Sequence, residues 1–580
     1  MKKIFIAFVI LVFVNQCFAQ WVSPGDGQSY TLESLCTAAP SAVQASTSGH
    51  YMISQNLTLS AGDLLTLESS AITVVVSGGV TLTISGTLQT ETRNQDLVFQ
   101  GDSTQSNYFE LRFEDALQNN LSHIHFRYCQ GIKLISSDMT IDSCEFDHFS
   151  NHVISYMNCN PVIRNSYFHD NQVCAIQSAV NADGCPKILN NIFYNNVLAN
   201  TNNPQINIGP GTTDTIFIIG NRIEGVASNM SGGIGIMNMY NLAVTKVLLK
   251  DNVITNNRYG YTQNGYRIFA EIYDNQFIDN NLEVTPNNGG SGISIYGYDT
   301  TCAAKLRRNI ITGNLWGVTA IYYHHLDMGT EEDYGYNVLY NNGNGGIDYE
   351  LYNNANSNMN AVGNYWGCDN AAAAEEVIFH QADNASYGLV NYLPINVIEP
   401  EILSFAFLAE NNTIPYILPT NFYGTFSENG DSILLNMGGL ASYGTHLLPT
   451  ITCPLGVSVS PSSLEPQNFV ESSIVYTATT PHQSSRSYVV FVEFGCAVPE
   501  NALTKINLAP NPVTQGFFTI ENTTEDILNW QIFTSTGQCV MFGEAQPGMN
   551  RIASKTLKTG TYLVHIQKDN TFIVRKLIIR

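Results

Sequence analysis

The sequence predicts an all-β protein, in which a long coil of short parallel strands is followed by two small β-sandwich domains. Three observations predict it. Apolar residues alternate with a period of two near the start, as at Val80, Leu82 and Ile84, which is typical of strands. Short apolar pairs flanked by Asn then recur about every 27 residues up to residue 380. Beyond residue 400 these pairs cease, and short β-rich segments separated by turns replace them.

The composition supports a folded, acidic protein. Of 580 residues, 44% are hydrophobic and only 13% are charged, which excludes a disordered chain because disorder requires low hydrophobicity and high charge. The formal net charge is −23, so the chain repels phosphate backbones and nucleic acid is not an expected partner. Composition indicates architecture and does not identify a reaction.

The N-terminus predicts export. Lys2 and Lys3 precede an apolar run at 4–14, and Ala19 stands at a position that a signal peptidase inspects. Residues 1–19 are therefore predicted to be a secretory signal peptide. The alternative, a membrane anchor, is disfavoured because the run is shorter than the roughly 20 apolar residues that span a bilayer. No later segment is long and apolar enough to suggest a membrane span.

The repeats predict the register of the coil. Helical solenoids are excluded, because this region is rich in Asn, Gly, Ile and Tyr and poor in helix formers. Asn at the corners is expected to adopt left-handed backbone and to bond its counterpart one turn away. Loops are expected at one corner of the coil, and they are longest before Ile223, Ile254 and Ile311. The residues predicted to stack are Phe126, Phe146, Phe168, Phe193, Ile223, Ile254, Phe277, Ile311, Leu339 and Trp366.

Two short sequence segments at the ends of this region resemble segments found in proteins of a known fold. The first segment, Asn56 to Gly62 continued by Gly86 to Leu88, resembles the N-terminal cap of surface-exposed β-helix proteins. The second, Gly363 to Gly367, resembles the segment that ends the β-helix in the same proteins. The region is thus similar to right-handed parallel β-helices of the pectin-lyase-like kind. The resemblance covers about residues 29–398 and implies a β-helix domain over 20–400. It does not specify a chemistry, because that fold carries lyases, hydrolases, epimerases, adhesins and phage tailspikes.

Residues 401–500 predict a small β-sandwich. Strand-like runs at 433–437, 474–479 and 487–492 are separated by turns, and they resemble bacterial Ig-like modules, which implies a spacer or a weakly adhesive unit. Cys453 and Cys496 are its disulfide candidates.

The remaining cysteines do not form metal-binding pairs. Cys129, Cys144, Cys159 and Cys174 recur every 15 residues, which does not match the period of the coil. They are predicted to be small buried hydrophobic residues, although disulfides remain the alternative.

Residues 501–580 differ from the rest in charge, since residues 503–580 contain eight Lys and Arg against five Asp and Glu. Several motifs here resemble the C-terminal sorting domain of type IX secretion cargo. They lie at 509–512, 537–538 and 557–564 and in the basic last strand. The resemblance implies the type IX machinery as partner and a secreted or outer-cell-surface location reached through the periplasm. An ordinary terminal Ig-like domain is the alternative. The sorting-motif residues are Pro510, Asn511, Pro512, Gly537, Gly560, Tyr562 and Lys576.

One acidic segment could hold a metal ion. His324, Asp327, Glu331 and Asp333 lie within ten residues and offer imidazole and carboxylate ligands, and calcium is the ion considered for the chain. A polar solvated loop is the favoured interpretation, because adjacent side chains such as His324 and His325 point to opposite faces of a strand. No other cofactor is indicated.

The motifs favour binding over catalysis. The Asn-Thr-Asp, Asp-Asp, Gly-His-Gly and Arg-Ile-Lys series of polygalacturonases is absent, and the arginines of the coil are scattered. The expected function is contact with a glycan, such as a polysaccharide or cell-surface glycan, or with another surface, through loops and aromatic side chains on one face. The alternative is a polysaccharide lyase or glycoside hydrolase, which needs a groove where a base and a second ionisable group converge.

Overall fold

The structure of the protein is a computed structural model. The predicted signal peptide, Cys496 and Gly537 lie outside the residues that it describes. Those residues are 20–580 apart from 93–94, 106, 117–118, 179–182, 241–243, 284–289, 345, 415–416, 471, 495–505, 535–537 and 569–570.

Three long parallel sheets form the right-handed β-helix, and each turn of the chain contributes one strand to each sheet. Sheet 1 has 14 strands. They are Gln20–Val22, Asn56–Leu59, Thr81–Ile84, Phe109–Glu114, Cys129–Ile135, Ile154–Met157, Ile176–Ser178, Pro204–Ile208, Gly232–Asn238, Tyr261–Gly265, Ser291–Gly297, Trp316–Tyr322, Leu351–Asn354 and Ile378–Phe379.

Sheet 2 also has 14 strands. They are Ser29–Thr31, Leu64–Leu67, Thr87–Thr90, Asn119–Ser122, Met139–Asp142, Val162–Arg164, Lys187–Leu189, Thr215–Ile219, Thr245–Lys250, Ile268–Tyr273, Ala303–Arg307, His325–Asp327, Met359–Asn360 and Val390–Asn391. Sheet 3 has 13, of which only the first pair is antiparallel. They are Val43–Thr47, His50–Ile53, Thr73–Val76, Leu97–Gly101, Ile124–Arg127, Glu145–Asp147, Tyr167–His169, Ile192–Tyr194, Arg222–Glu224, Val253–Thr255, Gln276–Ile278, Ile310–Thr312 and Val338–Tyr340.

The predicted register is confirmed in sheet 3. Each predicted stacking residue from Phe126 to Leu339 is the direct partner of the next in a parallel strand pair. All of them are buried, and the rings of Phe146, Phe168 and Phe193 stack nearly face to face with centroids 4.5 and 4.9 Å apart. The apolar interior of the coil is therefore a set of columns that run from turn to turn.

The corner between sheets 2 and 3 is held by a ladder of buried asparagines. In each step the backbone N–H and the side-chain Nδ2 donate to the Oδ1 of the next Asn, at 2.8 to 3.1 Å. The left-handed backbone belongs to the preceding residue, such as Asp251 or Asp274, so the two roles expected of one Asn are divided between neighbours. The ladder consists of Asn191, Asn221, Asn252, Asn275, Asn309, Asn337 and Asn364.

A second ladder lies at the corner between sheets 3 and 1 and ends in a carboxyl group. Asn257, Asn280, Asn314 and Asn342 follow the same pattern. At its end the Asn342 backbone N–H and Nδ2 donate to the two oxygens of Glu350, at 3.2 and 2.5 Å. Glu350 is only 2% exposed, and burial raises the pKa of its carboxyl from 4.5 to about 8.

We expect Glu350→Gln to stabilise the β-helix at neutral pH. The folded state keeps the Glu350 proton up to about pH 8, whereas the unfolded chain loses it near 4.5, so stability falls as the pH rises between these values. The penalty is on the order of 3 kcal/mol at pH 7. A Gln oxygen can accept both N–H groups, as the Asn342 oxygen does in the preceding step.

Urea unfolding at pH 5 and pH 8 measures this effect. The variant should gain stability at pH 8 and little at pH 5, and the exposed Glu376→Gln serves as the control. An equal change at both pH values would mean that Glu350 is ionised in the folded protein.

Long connections lie at all three corners, so the expectation of loops at one corner is wrong. Chain is inserted between sheets 3 and 1 before Pro204–Ile208 and before Ser291–Gly297. It is also inserted between sheets 1 and 2, before Thr215–Ile219 and Thr245–Lys250. The ladder corner between sheets 2 and 3 is two residues long in each turn from Leu189 to Ile310. It lengthens to ten residues, 328–337, between His325–Asp327 and Val338–Tyr340.

Two short helices belong to the β-helix unit. In Leu32–Ala38, Thr31 and Ser34 form a capping box, and Leu32 and Leu35 are buried against the first turns of the core. Ala371–Glu375 is capped by Asn370. None of the described helices is long and apolar enough to cross a membrane.

Residues 401–494 contain two small sheets and a 3-10 helix, Ala441–Tyr443. One sheet comprises Phe422–Tyr423, Ser404–Phe407 and Thr450–Thr452. The other comprises Thr425–Phe426, Ser432–Asn436, Ser485–Glu493, Ile474–Thr479 and Ser458–Ser460. The Ig-like assignment stays a prediction, as does the Cys453 to Cys496 disulfide.

Residues 506–580 form a three-stranded and a four-stranded antiparallel sheet around their own core, which includes Phe518, Trp530 and Val564. The first sheet comprises Asn507–Ala509, Phe517–Asn522 and Gly548–Ala553. The second comprises Cys539–Ala545, Leu528–Thr534, Gly560–Lys568 and Thr571–Ile579.

Candidate functional site

A groove of about 670 Å³ lies on the outer face of sheet 1. Because side chains alternate across a strand, the inward positions fill the core and the outward positions line the groove. Thr262, Ser294 and Thr319 occupy adjacent outward positions on three consecutive strands, as the strand pairing shows. They form a row of short hydroxyl side chains, of which Thr262 and Ser294 are partly exposed. Thr319 is only 2% exposed, and its hydroxyl bonds to that of Ser291 at 2.7 Å.

Aromatic rings surround this row and form what we call the aromatic groove. Trp316 and Tyr352 stack with centroids 4.9 Å apart and ring planes at 4°, and Tyr352 stacks in turn on Phe379 at 4.5 Å. Tyr296 contacts Tyr322 edge to face at 5.1 Å. Tyr322 is 57% exposed, so much of its surface faces solvent. Exposed rings beside hydroxyl groups suit a ligand that has both apolar faces and hydroxyls.

The charge of the aromatic groove is low. Arg258 is the cation among the described residues that line it, and none of those lining residues is Asp or Glu. Arg258 Nε lies 3.6 Å from a carboxylate oxygen of Glu283, so its charge is compensated. The groove therefore has little electrostatic preference for a charged ligand.

A second groove, of about 430 Å³, lies on the outer face of sheet 2. We call it the charged groove, because Lys246, Glu271, Lys305, His325 and Asp327 line it. The Tyr273 hydroxyl donates to Glu271 at 3.0 Å. Cations and carboxylates meet in this groove, in contrast with the aromatic groove.

The structure does not bring the four candidate metal ligands together. Asp327 and Asp333 both contact Nη2 of Arg307, at 2.8 and 2.9 Å, and Arg307 is buried. Hydrogen bonds from Arg307 and Lys305 lower the pKa of Asp333 to about 2. Glu331 is exposed and belongs to neither contact.

His324 lies on the other side of the strand, inside the coil. The Leu326 backbone N–H donates to its Nδ1 at 3.3 Å, so Nε2 carries the proton and faces Asn353 Oδ1 at 3.4 Å. Burial lowers the pKa of His324 to about 4. His324 is thus a neutral buried side chain, whereas His325 is exposed. Of the four candidate ligands, His324 lies in the interior, Asp327 and Asp333 belong to an ion-pair network, and Glu331 is in neither.

The predicted sorting residues are structural parts of the last domain. Asn511 Nδ2 donates to the Lys576 carbonyl at 2.6 Å, and Asn511 Oδ1 accepts from the Ile578 N–H at 2.9 Å, so this side chain anchors the final strand. The buried Tyr562 donates its hydroxyl proton to the Lys558 carbonyl at 2.9 Å. Lys576 is exposed on that strand. Pro510 and Pro512 flank Asn511, and Gly560 begins the strand that pairs with Thr571–Ile579.

Comparison with known families matches three stretches of the chain. Residues 507–580 match the secretion system C-terminal sorting domain, and residues 55–208 match the right handed beta helix region. The chain is a right-handed parallel β-helix protein with a type IX secretion sorting domain. Residues 264–371 of the β-helix, which contain most of the aromatic groove, match a family of unknown function, DUF1565. The sorting domain indicates export to the cell surface or beyond. No curated protein matches the chain.

Some solved structures are distantly similar to the chain. One is the periplasmic alginate epimerase AlgG, at 14% identity over 63% of this chain and 83% of that chain, with a TM-score of 0.39. Another is the A-module of the mannuronan C-5 epimerase AlgE4 from Azotobacter vinelandii, at 12% identity over 63% and 96%, with a TM-score of 0.23.

Proposed function

We propose that this β-helix protein binds a glycan in the aromatic groove at the cell surface or in the surrounding medium. The observation that carries the proposal is the pair of partly exposed hydroxyls of Thr262 and Ser294 beside the exposed ring of Tyr322. Sugar rings have apolar faces that pack on aromatic side chains and hydroxyls that bond to polar ones.

The charges favour an uncharged polysaccharide over a polyanion. The chain has a formal net charge of −23, and Arg258, the cation among the described residues that line the groove, lies close to Glu283. An acidic polysaccharide would approach a surface of its own sign, which slows association and lowers affinity at low salt.

Binding to a panel of neutral and acidic polysaccharides tests the proposal with the full chain. For the neutral glycan that binds, Tyr322→Ala is expected to weaken affinity about tenfold, because a lost aromatic contact costs about 1.5 kcal/mol. Tyr423→Ala is the matched control, since Tyr423 is a similarly exposed tyrosine outside the β-helix strands. Equal binding by the Tyr322 variant, or no binding to any neutral glycan, would contradict the proposal.

The charged groove supports a second candidate, a polysaccharide lyase or glycoside hydrolase. There Lys246 and Lys305 meet Glu271, His325 and Asp327 in one open cavity, which is the convergence that an acid-base mechanism requires. The same polysaccharide panel, assayed for new reducing or unsaturated ends, tests it. Product formation that Lys305→Ala abolishes would establish this candidate, whereas binding without product would favour the aromatic groove.

A further inference from the structure

Three histidines and three carboxylates gather on the outer face of sheet 3, far in sequence from the two grooves. The strands Ile124–Arg127, Glu145–Asp147 and Tyr167–His169 are consecutive neighbours in that sheet. Their register pairs His125 with Glu145, and Asp147 with His169. Phe126, Phe146 and Phe168 point inward between them, so the polar side chains all point outward.

The ligand atoms of this cluster converge. His125 Nε2 lies 2.6 Å from Asp147 Oδ2, and His125 Nδ1 lies 3.7 Å from Glu145 Oε2. One ligand atom from each of these three residues lies within 4.8 Å of the other two. His169 Nε2 lies 2.9 Å from Glu145 Oε1 and 4.0 Å from Asp147 Oδ2, so it adjoins both carboxylates.

We propose that His125, Glu145 and Asp147, with His169 beside them, bind a divalent transition-metal ion such as Zn²⁺. Imidazole nitrogen and carboxylate oxygen are ligands that zinc accepts at about 2.0 to 2.2 Å, so ligand atoms now up to 4.8 Å apart need only small side-chain movements to surround one ion. The ion would replace the proton that now joins His125 to Asp147.

The surroundings orient the ligands as metal sites require. Arg127 Nε and His148 Nδ1 contact Asp147 Oδ1, at 3.2 and 2.7 Å, which leaves Oδ2 directed at the two other histidines. His169 Nδ1 contacts Asp170 Oδ2 at 2.9 Å, so the carboxylate of Asp170 holds this ring with Nε2 towards the cluster. A histidine ligand whose second nitrogen is held by a carboxylate is the usual arrangement in metal sites.

The charge of the cluster also favours a cation. Among the ion pairs of the described residues, the guanidinium of Arg127 is the permanently charged cation that contacts this group of three carboxylates, Glu145, Asp147 and Asp170. A divalent ion would neutralise the excess. Because its ligands come from consecutive strands, it would also tie neighbouring turns of the β-helix together, and the proposal is independent of glycan binding.

Zinc titration of the full chain, made without a histidine tag and dialysed against a chelator, tests the site. Calorimetry should show one zinc ion per chain, with a rise in melting temperature on saturation, and Co²⁺ in place of zinc should give visible absorption bands. His125→Ala and Glu145→Gln should each weaken binding by about tenfold or more, since losing even an outer partner of a metal ligand costs that much. His123→Ala is the matched control, because His123 contacts only the exposed Asp96 among the ion pairs of this region.

Circular dichroism in chelator separates loss of the site from loss of the fold. Glu145 is partly exposed, so Glu145→Gln should melt like the unsubstituted chain without metal. The absence of saturable zinc binding, or equal zinc affinity in His125→Ala and the unsubstituted chain, would overturn the proposal and leave the cluster as a network of ion pairs.

Discussion

Replacing Phe193 by Asp is expected to unfold the β-helix. Phe193 is fully buried, stacked on Phe168 at 4.9 Å and paired with Ile223 in the following turn. Losing a buried Phe costs about 3 to 5 kcal/mol, and an unpaired buried charge costs at least several more. Together these losses match the roughly 5 to 15 kcal/mol by which folded domains are stable.

Thermal melting followed by circular dichroism measures this effect, and the same strand provides the control. Ile192 lies next to Phe193 but points outward and is 46% exposed, so Ile192→Asp should melt within a few degrees of the unsubstituted chain. Phe277→Asp, between Ile254 and Ile311, should repeat the result at a distant turn. Unchanged melting of both Phe variants would mean that the columns do not hold the coil together.

The interior of the coil is predictable from the sequence because every turn places side chains at the same interior positions, where they must pack on the turns before and after. The position equivalent to Phe193 must be apolar in each turn, and the buried Asn must lie at the same corner, so both recur visibly despite uneven spacing. The confirmed pairs from Phe126 to Leu339 rest on this repetition. The burial of Cys129, Cys144, Cys159 and Cys174 as unpaired thiols confirms the prediction that they are small hydrophobic residues.

The outer face is not predictable in the same way. The aromatic groove combines Tyr296, Trp316 and Tyr352 from three turns, and no local motif links residues so far apart in sequence. The metal cluster joins His125, Glu145 and His169, which are 20 and 24 residues apart in sequence. Only the strand register shows that these spacings place the three side chains next to one another. Conversely, His324 and Asp327 are close in sequence, but the strand places them on opposite faces.

Deleting Leu503 to Arg580 is expected to stop the protein from leaving the cell. The sorting domain has a hydrophobic core of its own, separate from the columns of the β-helix, so its removal should leave the coil folded. The exposed Lys576 and the strand that Asn511 anchors would be lost with it. The truncated chain should therefore accumulate in the periplasm.

Fractionation of a host with type IX secretion, with immunoblots of periplasm, cell surface and medium, measures the location. Tyr322→Ala in the full chain is the control, because it changes the aromatic groove and leaves the sorting domain intact, and it should be exported normally. A narrower variant, Asn511→Ala, removes two hydrogen bonds to the last strand and should reduce export without abolishing folding of the β-helix. Normal export of the truncated chain would mean that the sorting signal lies elsewhere, whereas normal export of Asn511→Ala alone would mean that the last strand holds its position through its pairing with Gly560–Lys568.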